Sequence, residues 1–447
     1  MNENSTRSFS SINCLFTIIM LLLASCTGSQ KQQNTEEAPK AALYHTASHN
    51  LTSVIIEDIF SPPVASRIYA YANIAAWETL ASAYPKMQSL AGQLNGLLPF
   101  NTTNSCANPE LAALFAFKET SSKMLFSTEL HQRFTNQMEV ELAKNHSAKA
   151  LTEAKEYGHQ IAAHILQWAS ADGYNQSRTK PKHGSGSGSS EWIPTPPLFM
   201  GAIEPHWNSI RPFTLDSADQ FVPAPPTPFD LSPNSSFYAE VKEVYQTATN
   251  LKPAEEDIAR FWDCNPYVTA ESAHFMPGTK KITPGGHWMG IAGIASAVSK
   301  QDFTDAVKTN TLVSIALADA FISCWDEKYR SNLIRPETVI NNTLDPDWKP
   351  LLETPPFPEY TSGHSVISTS AAFALSSLFG DSFSYIDSVE LEFGLAPRSY
   401  SSFQEAAAEA AISRLYGGIH YRPAIEQGVI QGKLIGKHVA SSLTWTK

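Results

Sequence analysis

The sequence predicts an all-α protein built of helical bundles with one irregular, Pro-rich segment. Three observations carry that expectation: long stretches with apolar residues at three- and four-residue spacing, a scarcity of alternating strand patterns, and a sharply bounded Pro/Gly/Ser-rich interruption. Hydrophobic residues make up 43% and charged residues 17% of the 447 positions, which supports a substantial core. With 32 Lys+Arg against 43 Asp+Glu, the net charge is −11. That balance excludes a broad nucleic-acid surface, which needs a basic stripe to neutralise phosphates. Any anion site must therefore come from a local cluster of basic side chains. Five cysteines are too few for a disulfide scaffold, and no Cys-x-x-Cys pair suggests structural zinc.

At the start of the chain, Arg7 precedes an apolar run from Leu15 to Ala24 that ends Leu23-Ala24-Ser25-Cys26. The run is too short for a permanent membrane helix and has the shape of a secretory signal over residues 1–25. A small residue before the cysteine resembles a bacterial lipobox, with Cys26 as the lipidation site and residues 26–45 as a polar tether. The expected protein is exported and lipid-anchored at the bacterial cell envelope, touching the membrane through that anchor. The folded body is expected over residues 46–447. Helical spacing marks Ser66–Leu80, Pro109–Lys123, Leu130–Asn145 and Ala148–Ser170. Residues 179–233 then carry Gly-Ser repeats and ten prolines from Pro194 to Pro233, which excludes regular helix. Trp192, Trp207, Phe213 and Phe221 within it predict a segment packed across the helical body. Helical spacing resumes at Phe237–Thr249, Pro253–Trp262, Phe303–Trp325, Ser365–Leu378, Phe403–Tyr416 and Glu426–Thr444. The result is two helical layers, divided into two bundles near the Pro-rich segment.

Three motifs between residues 303 and 447 hold the chemistry. In Trp325-Asp326-Glu327-Lys328 through Arg335-Pro336, the two cations are seven apart. On a helix they would lie about two turns apart on one face, with Pro336 stopping the helix. In Phe357-Pro358-Glu359-Tyr360-Thr361-Ser362-Gly363-His364, Gly363 permits close backbone approach at the start of a helix, whose free N–H groups bind oxyanions. Ser362 also suits an N-cap. In Arg414 to His420, Gly417 and Gly418 end a helix and bring His420 back towards Arg414. Cations, a hydroxyl, backbone donors and two histidines together suit a tetrahedral or bipyramidal oxyanion.

These motifs, Lys-x6-Arg-Pro, Ser-Gly-His and Ser-Arg-x5-His, resemble the shared signature of vanadium-dependent haloperoxidases and type 2 phosphatidic acid phosphatases. Phe261-Trp262-Asp263, Pro284-Gly285-Gly286-His287-Trp288 and the Trp192–Phe213 region are similar to bacterial haloperoxidases. Trp325-x-x-Lys328, Tyr267 and Phe357 are similar to marine bacterial iodoperoxidases. The resemblance implies a two-bundle haloperoxidase-like fold and bound vanadate. His420 would be the axial metal ligand, and Lys328, Arg335, Arg414, the Ser362 hydroxyl and the Gly363 N–H would hold equatorial oxygens. His364 would contact the apical oxygen and move protons. Lys328, His364 and His420 are thus the implied catalytic residues, with Trp325, Tyr267 and Phe357 as halide-site candidates. The implied reaction is oxidation of iodide, or bromide, by hydrogen peroxide through a peroxovanadate bound to His420. Two departures stand out: Thr361 replaces the common proline, and Ala424 replaces the aspartate that orients the histidine in phosphatases. The second weighs against the alternative reading, an acid phosphatase with His420 as nucleophile. It leaves open what holds the other nitrogen of His420, with a backbone carbonyl and Glu426 as candidates. His287 is expected either at the pocket or as a turn cap, and Asp263 beside an active-site arginine.

Overall fold

Helix begins inside the segment expected as a polar tether. The computed structural model describes residues 39–101, 105–184, 188–266 and 281–447; the signal segment 1–25, Cys26 and Tyr267 lie outside them. Helix α1 (Ala41–Glu57) buries Tyr44 completely, with its hydroxyl on Asn73 at 2.6 Å, so the folded body starts before residue 46. Four helices follow: α2 (Pro62–Ala83), α3 (Pro109–Ser122), α4 (Thr128–Leu142) and α5 (Ala148–Ser170). Side-chain caps set several starts. The Ser61 hydroxyl accepts from Val64 N ahead of two prolines, and that of Ser147 accepts from Ala150 N at 3.2 Å. One short turn of helix, α6 (Tyr174–Ser177), precedes the irregular segment.

That segment is extended chain and turns, with a 3₁₀ turn at Trp207–Ser209, and it buries Trp192, Trp207 and Phe213 as expected. It is tied down at chosen points. The buried carboxylate of Asp319 accepts from Phe213 N (2.6 Å), Thr214 N (2.8 Å) and the Thr214 hydroxyl (2.7 Å). Trp192 N donates to Asn332 O and Ile334 N to Ser190 O, both at 2.9 Å.

The second half contains α7 (Ser236–Thr249), α8 (Pro253–Phe261), α9 (Pro284–Val298), α10 (Phe303–Ser331), α11 (Pro336–Thr343), α12 (Gly363–Phe379), α13 (Phe403–Tyr416) and α14 (Arg422–Ser442). A small antiparallel ribbon, β1 (Tyr385–Asp387) with β2 (Arg398–Tyr400), pairs Tyr385 with Tyr400. The class is all-α, as the spacing predicts. Helices α2, α3 and α5 form one bundle, α12, α13 and α14 another, and α10 packs on α2 and α12 alike, so one hydrophobic core runs through both. Among the described residues α10 is the one helix long and apolar enough to cross a membrane, yet 94% of its apolar window is buried in the protein. It is a core helix.

The expectation that Pro336 stops this helix is corrected. Asn332, with φ of 47°, ends α10 in the left-handed conformation, and Pro336 opens α11. Lys328 and Arg335 therefore lie on either side of a turn, not on one helix face.

Helix α14 approaches α12 through Gly428, Gly432 and Gly436, one residue per turn. A Cβ at Gly432 would sit 2.3 Å from Val366 O, and one at Gly436 2.5 Å from Ser370 O. The neighbour in each case is backbone and cannot give way. We expect Gly432→Ala to destabilise the fold by about 1–3 kcal/mol, seen as a lower denaturation midpoint at unchanged m-value.

Candidate active site

The loop from Phe357 to Thr361 is held by the two cations of the first motif. Lys328 Nζ donates to the carbonyls of Pro358 (3.0 Å), Glu359 (3.1 Å) and Thr361 (2.6 Å). Arg335 Nε donates to Phe357 O at 2.9 Å and Nη1 to Ile419 O at 2.9 Å. Both side chains are fully buried. The Thr361 hydroxyl donates to Gln431 Oε1 at 2.8 Å, and Ser362 N donates to Ala424 O at 3.0 Å, so α14 secures the loop from behind. Both departures from the common motif thus sit at contacts that fix the loop. Ser362 N-caps α12, and Gly363 and His364 follow in its first turn.

His420 is bound on both ring nitrogens. Nη1 of Arg335 lies 3.2 Å from Nε2, and Glu359 Oε1 lies 2.7 Å from Nδ1. Arginine can only donate, so Nε2 must accept and Nδ1 carries the proton given to Glu359. Glu359 also takes Tyr421 N at 2.9 Å. The partner of His420 that the sequence leaves open is therefore Glu359, neither a backbone carbonyl nor Glu426. The available signal was a lone carboxylate between Pro358 and Tyr360 beside the Ser-Gly-His run, which reads as solvated until the loop is seen to be buried.

Gly363, His364, Arg414, His420, Trp325 and Phe357 line one cavity. Trp325 and Phe357 pack with centroids 5.0 Å apart, and Lys328 Nζ lies 5.0 Å from the Phe357 centroid. Arg414 Nη2 donates to Trp262 O at 2.6 Å. One ring nitrogen of His364 is bonded to the backbone of Trp262, while Nε2 is buried without a partner. Nη2 of Arg335 is likewise buried and unpartnered. Asp263, expected beside an arginine, instead pairs with Lys281 while contributing a favourable field at Arg414. His287 is neither at the cavity nor a cap: it is buried in α9 between Asp387 and Glu390.

The electrostatics are those of a site rich in buried donors. Burial lowers Lys328 to about 7 and Arg335 to about 10, and lowers Arg414 as well. Burial, then the neighbouring cations, holds His364 and His420 well below the usual histidine value. Burial raises Glu359 to about 7 against the pull of Arg335 and Lys328. Oε1 of Glu359 takes both His420 and Tyr421, while its Oε2 is buried without a partner. The orphaned Arg335 Nη2 is a donor left for an anion, and Nε2 of the neutral His364 is an acceptor for a hydroxyl on that anion. A tetrahedral oxyanion fits this donor set. Reaching it would require Lys328 Nζ to exchange one of its three carbonyl bonds.

A helical-bundle protein with a buried, cation-rich oxyanion site and an oriented histidine is the class these features define. The family model described as the VCPO second helical-bundle domain matches residues 308–445. A crystal structure of a bacterial vanadium-dependent iodoperoxidase is 49% identical, with a TM-score of 0.86, covering 92% of this chain and 99% of that one. Holo and apo crystal structures of a bacterial vanadium-dependent chloroperoxidase are 14% and 15% identical, with TM-scores of 0.68 and 0.64; they share the fold. The first covers 91% of this chain and 98% of its own, the second 86% and 94%. No curated protein matches the chain. The chain belongs to the vanadium-dependent haloperoxidases.

Glu359→Gln keeps an acceptor but removes the charge on His420. We expect it to weaken orthovanadate binding about 10–100-fold by calorimetry; unchanged affinity would show that His420 needs no carboxylate. Lys328 gives a pH signature. Its value is lowered by burial to about 7. The ammonium that makes three carbonyl bonds therefore gives up its proton, and with it one of those bonds, as pH rises above about 7, and an anion favours the charged form. Oxyanion binding at pH 8 should therefore take up about one proton that Lys328→Met does not, and the Lys328-dependent part of the affinity should fall about tenfold per unit as pH rises above 7. Calorimetry in buffers of different ionisation enthalpy measures both.

Proposed function

We propose that this chain is a vanadate-dependent peroxidase that oxidises iodide with hydrogen peroxide, with bromide as the alternative halide. The observation that carries the reading is the pair of buried, unpartnered nitrogens, Arg335 Nη2 and His364 Nε2, beside an oriented His420 whose Nε2 lone pair is exposed to a donor. The 49% identity to a bacterial iodoperoxidase supports iodide in particular. Bound vanadate supplies a Lewis-acidic centre that activates hydrogen peroxide without a change in metal oxidation state.

His420 would ligate the metal through Nε2, with Glu359 holding the Nδ1 proton and the ring plane. Lys328, Arg335, Arg414, the Ser362 hydroxyl and the Gly363 N–H would hold the oxyanion's oxygens. All three cations are buried, with Arg414 in the cavity wall, and away from water each is worth more than in solvent. His364, held neutral by burial with Nε2 free, is suited to accept the peroxide proton and return it. Trp325 and Phe357 would border the halide's approach, and Tyr267 would join them. Cys26 would carry the lipid that anchors the exported protein at the cell envelope.

The acid-phosphatase alternative loses less than the sequence suggests. Glu359 supplies to His420 the carboxylate that Ala424 does not, so that argument no longer separates the readings. Activity does. Oxyanion-stripped protein should oxidise iodide only after orthovanadate is added, be inhibited by phosphate, and lose activity in His420→Ala by at least about a hundredfold. Background iodide oxidation together with vanadate-inhibited hydrolysis of a phosphate monoester would move the function to the phosphatase.

A further inference from the structure

Among the described residues, one group of side chains beside the cavity, of which Cys264 also lines it, is arranged as a coordination shell. Cys264 follows α8, His287 lies in the first turn of α9, and Glu390 belongs to the 3₁₀ turn Val389–Phe393. Cys264 Sγ is 3.6 Å from His287 Nδ1 and 3.8 Å from Glu390 Oε1, and His287 Nδ1 is 2.9 Å from Glu390 Oε1. All three residues are buried. On the far side of the ring, His287 Nε2 meets Asp387 Oδ2 at 2.8 Å, and the Trp262 ring stacks on the imidazole at 4.6 Å and 21°.

We propose that Cys264, His287 and Glu390 bind a divalent ion of the zinc class. Three heteroatoms crowd one point in a dry interior, and a proton on Nδ1 can serve only one acceptor well. It would satisfy Glu390 and leave the thiol with two long contacts. A dication attracts all three at once, and ligand bonds of about 2.0–2.3 Å place tetrahedral donors about 3.3–3.6 Å apart. The two sulfur separations are close to that, and the 2.9 Å between His287 Nδ1 and Glu390 Oε1 would open by about 0.4 Å. Thiolate with imidazole selects zinc-like ions over magnesium or calcium. Asp387 supplies what a metal-bound histidine needs, a carboxylate on the second nitrogen that keeps the proton there and turns the Nδ1 lone pair inward. A thiolate and the Glu390 carboxylate together cancel the charge of the ion among its ligands, and the remaining negative charge, on Asp387, is held by the N–H of His287. Binding displaces the Cys264 proton to solvent, and a water fills the fourth position.

The ion would join the end of α8, the start of α9 and the β1 ribbon. Trp262 covers it on one side and on the other holds Arg414 and His364 through its backbone. The site is therefore structural support for one wall of the oxyanion cavity, and it stands whether or not the peroxidase reading does.

The test is metal content and spectroscopy on the purified protein, first stripped with a chelator. Titration with zinc should restore about one equivalent by mass spectrometry and raise the unfolding temperature. Cobalt in its place should give a thiolate-to-metal charge-transfer band that Cys264→Ser abolishes. Asp387→Asn should weaken zinc binding about 10–100-fold. If Cys264→Ser does not fold, Glu390→Gln must instead lose stoichiometric zinc while keeping its helical circular dichroism. Folded protein that takes up less than about a tenth of an equivalent of zinc overturns the proposal. So does a cobalt band that survives Cys264→Ser, and in either case His287 is an imidazolium held between two carboxylates.

Discussion

The grip of two buried cations on one loop is the constraint from which the site follows. A lysine and an arginine at the centre of an apolar helical body are costly unless every donor is engaged. Lys328 meets that condition with the carbonyls of Pro358, Glu359 and Thr361, and Arg335 meets it in part, with Phe357, Ile419 and His420, keeping Nη2 unpartnered. The carbonyls of Phe357, Pro358, Glu359 and Thr361 thus become the counter-dipoles of the cations, while that of Tyr360 takes the Ser331 hydroxyl, and the path of the loop is fixed at every residue. That path delivers Glu359 to His420 and sets Ser362 at the cap of α12. What is left over is an Arg335 nitrogen, a His364 nitrogen and the second Glu359 oxygen, all buried without a partner.

The frame around the loop is rigid for identifiable reasons. Glycines 428, 432 and 436 let α14 lie against the α12 backbone closer than any other residue allows. Gln431, on the same helix, reaches Thr361 on one side and Ser323 of α10 on the other. The Pro-rich segment is part of the frame as well. Its strand-like contact at Ser190–Trp192 is made to the turn between Lys328 and Arg335, and Ile203 O takes the Trp325 indole N–H at 3.2 Å. A segment without helix of its own thereby braces both ends of the first motif.

Legibility in the sequence followed the physics of each element. Helices with a one-sided apolar face, such as α5, declare themselves by spacing. Helix α9 does not, because it is apolar nearly all round and opens on Pro-Gly-Gly, and α11 is too short for a period. The start of α1 was hidden by its polar outer face, which reads like a tether. The cations, Ser362, Gly363 and both site histidines were legible as residue types at fixed intervals. Their relation was not: Pro336 reads equally as a helix end or a helix start, and only the left-handed turn at Asn332 decides. Glu359 was invisible as a partner because burial, not spacing, makes a loop carboxylate matter. The carboxylates around His287 lie about a hundred residues away in sequence, beyond any local pattern.

Trp262 links the two polar centres of the molecule. Its carbonyl receives Arg414 and its backbone holds His364, while its ring covers His287. A displacement of this one residue would move Arg414 and His364, two side chains that line the cavity, together. Helix α8 alone is a weak foundation for that task, since it is short and ends at Phe261, immediately before the tryptophan. The residue is held from below by the His287 cluster, and from the side by its indole N–H on Glu409 at 3.1 Å, which also takes the Tyr400 hydroxyl and Arg398. The small β ribbon, otherwise an oddity in an all-α body, supplies both of those supports: Asp387 from β1, and Arg398 and Tyr400 from β2. Its place in the fold is explained by the wall it steadies.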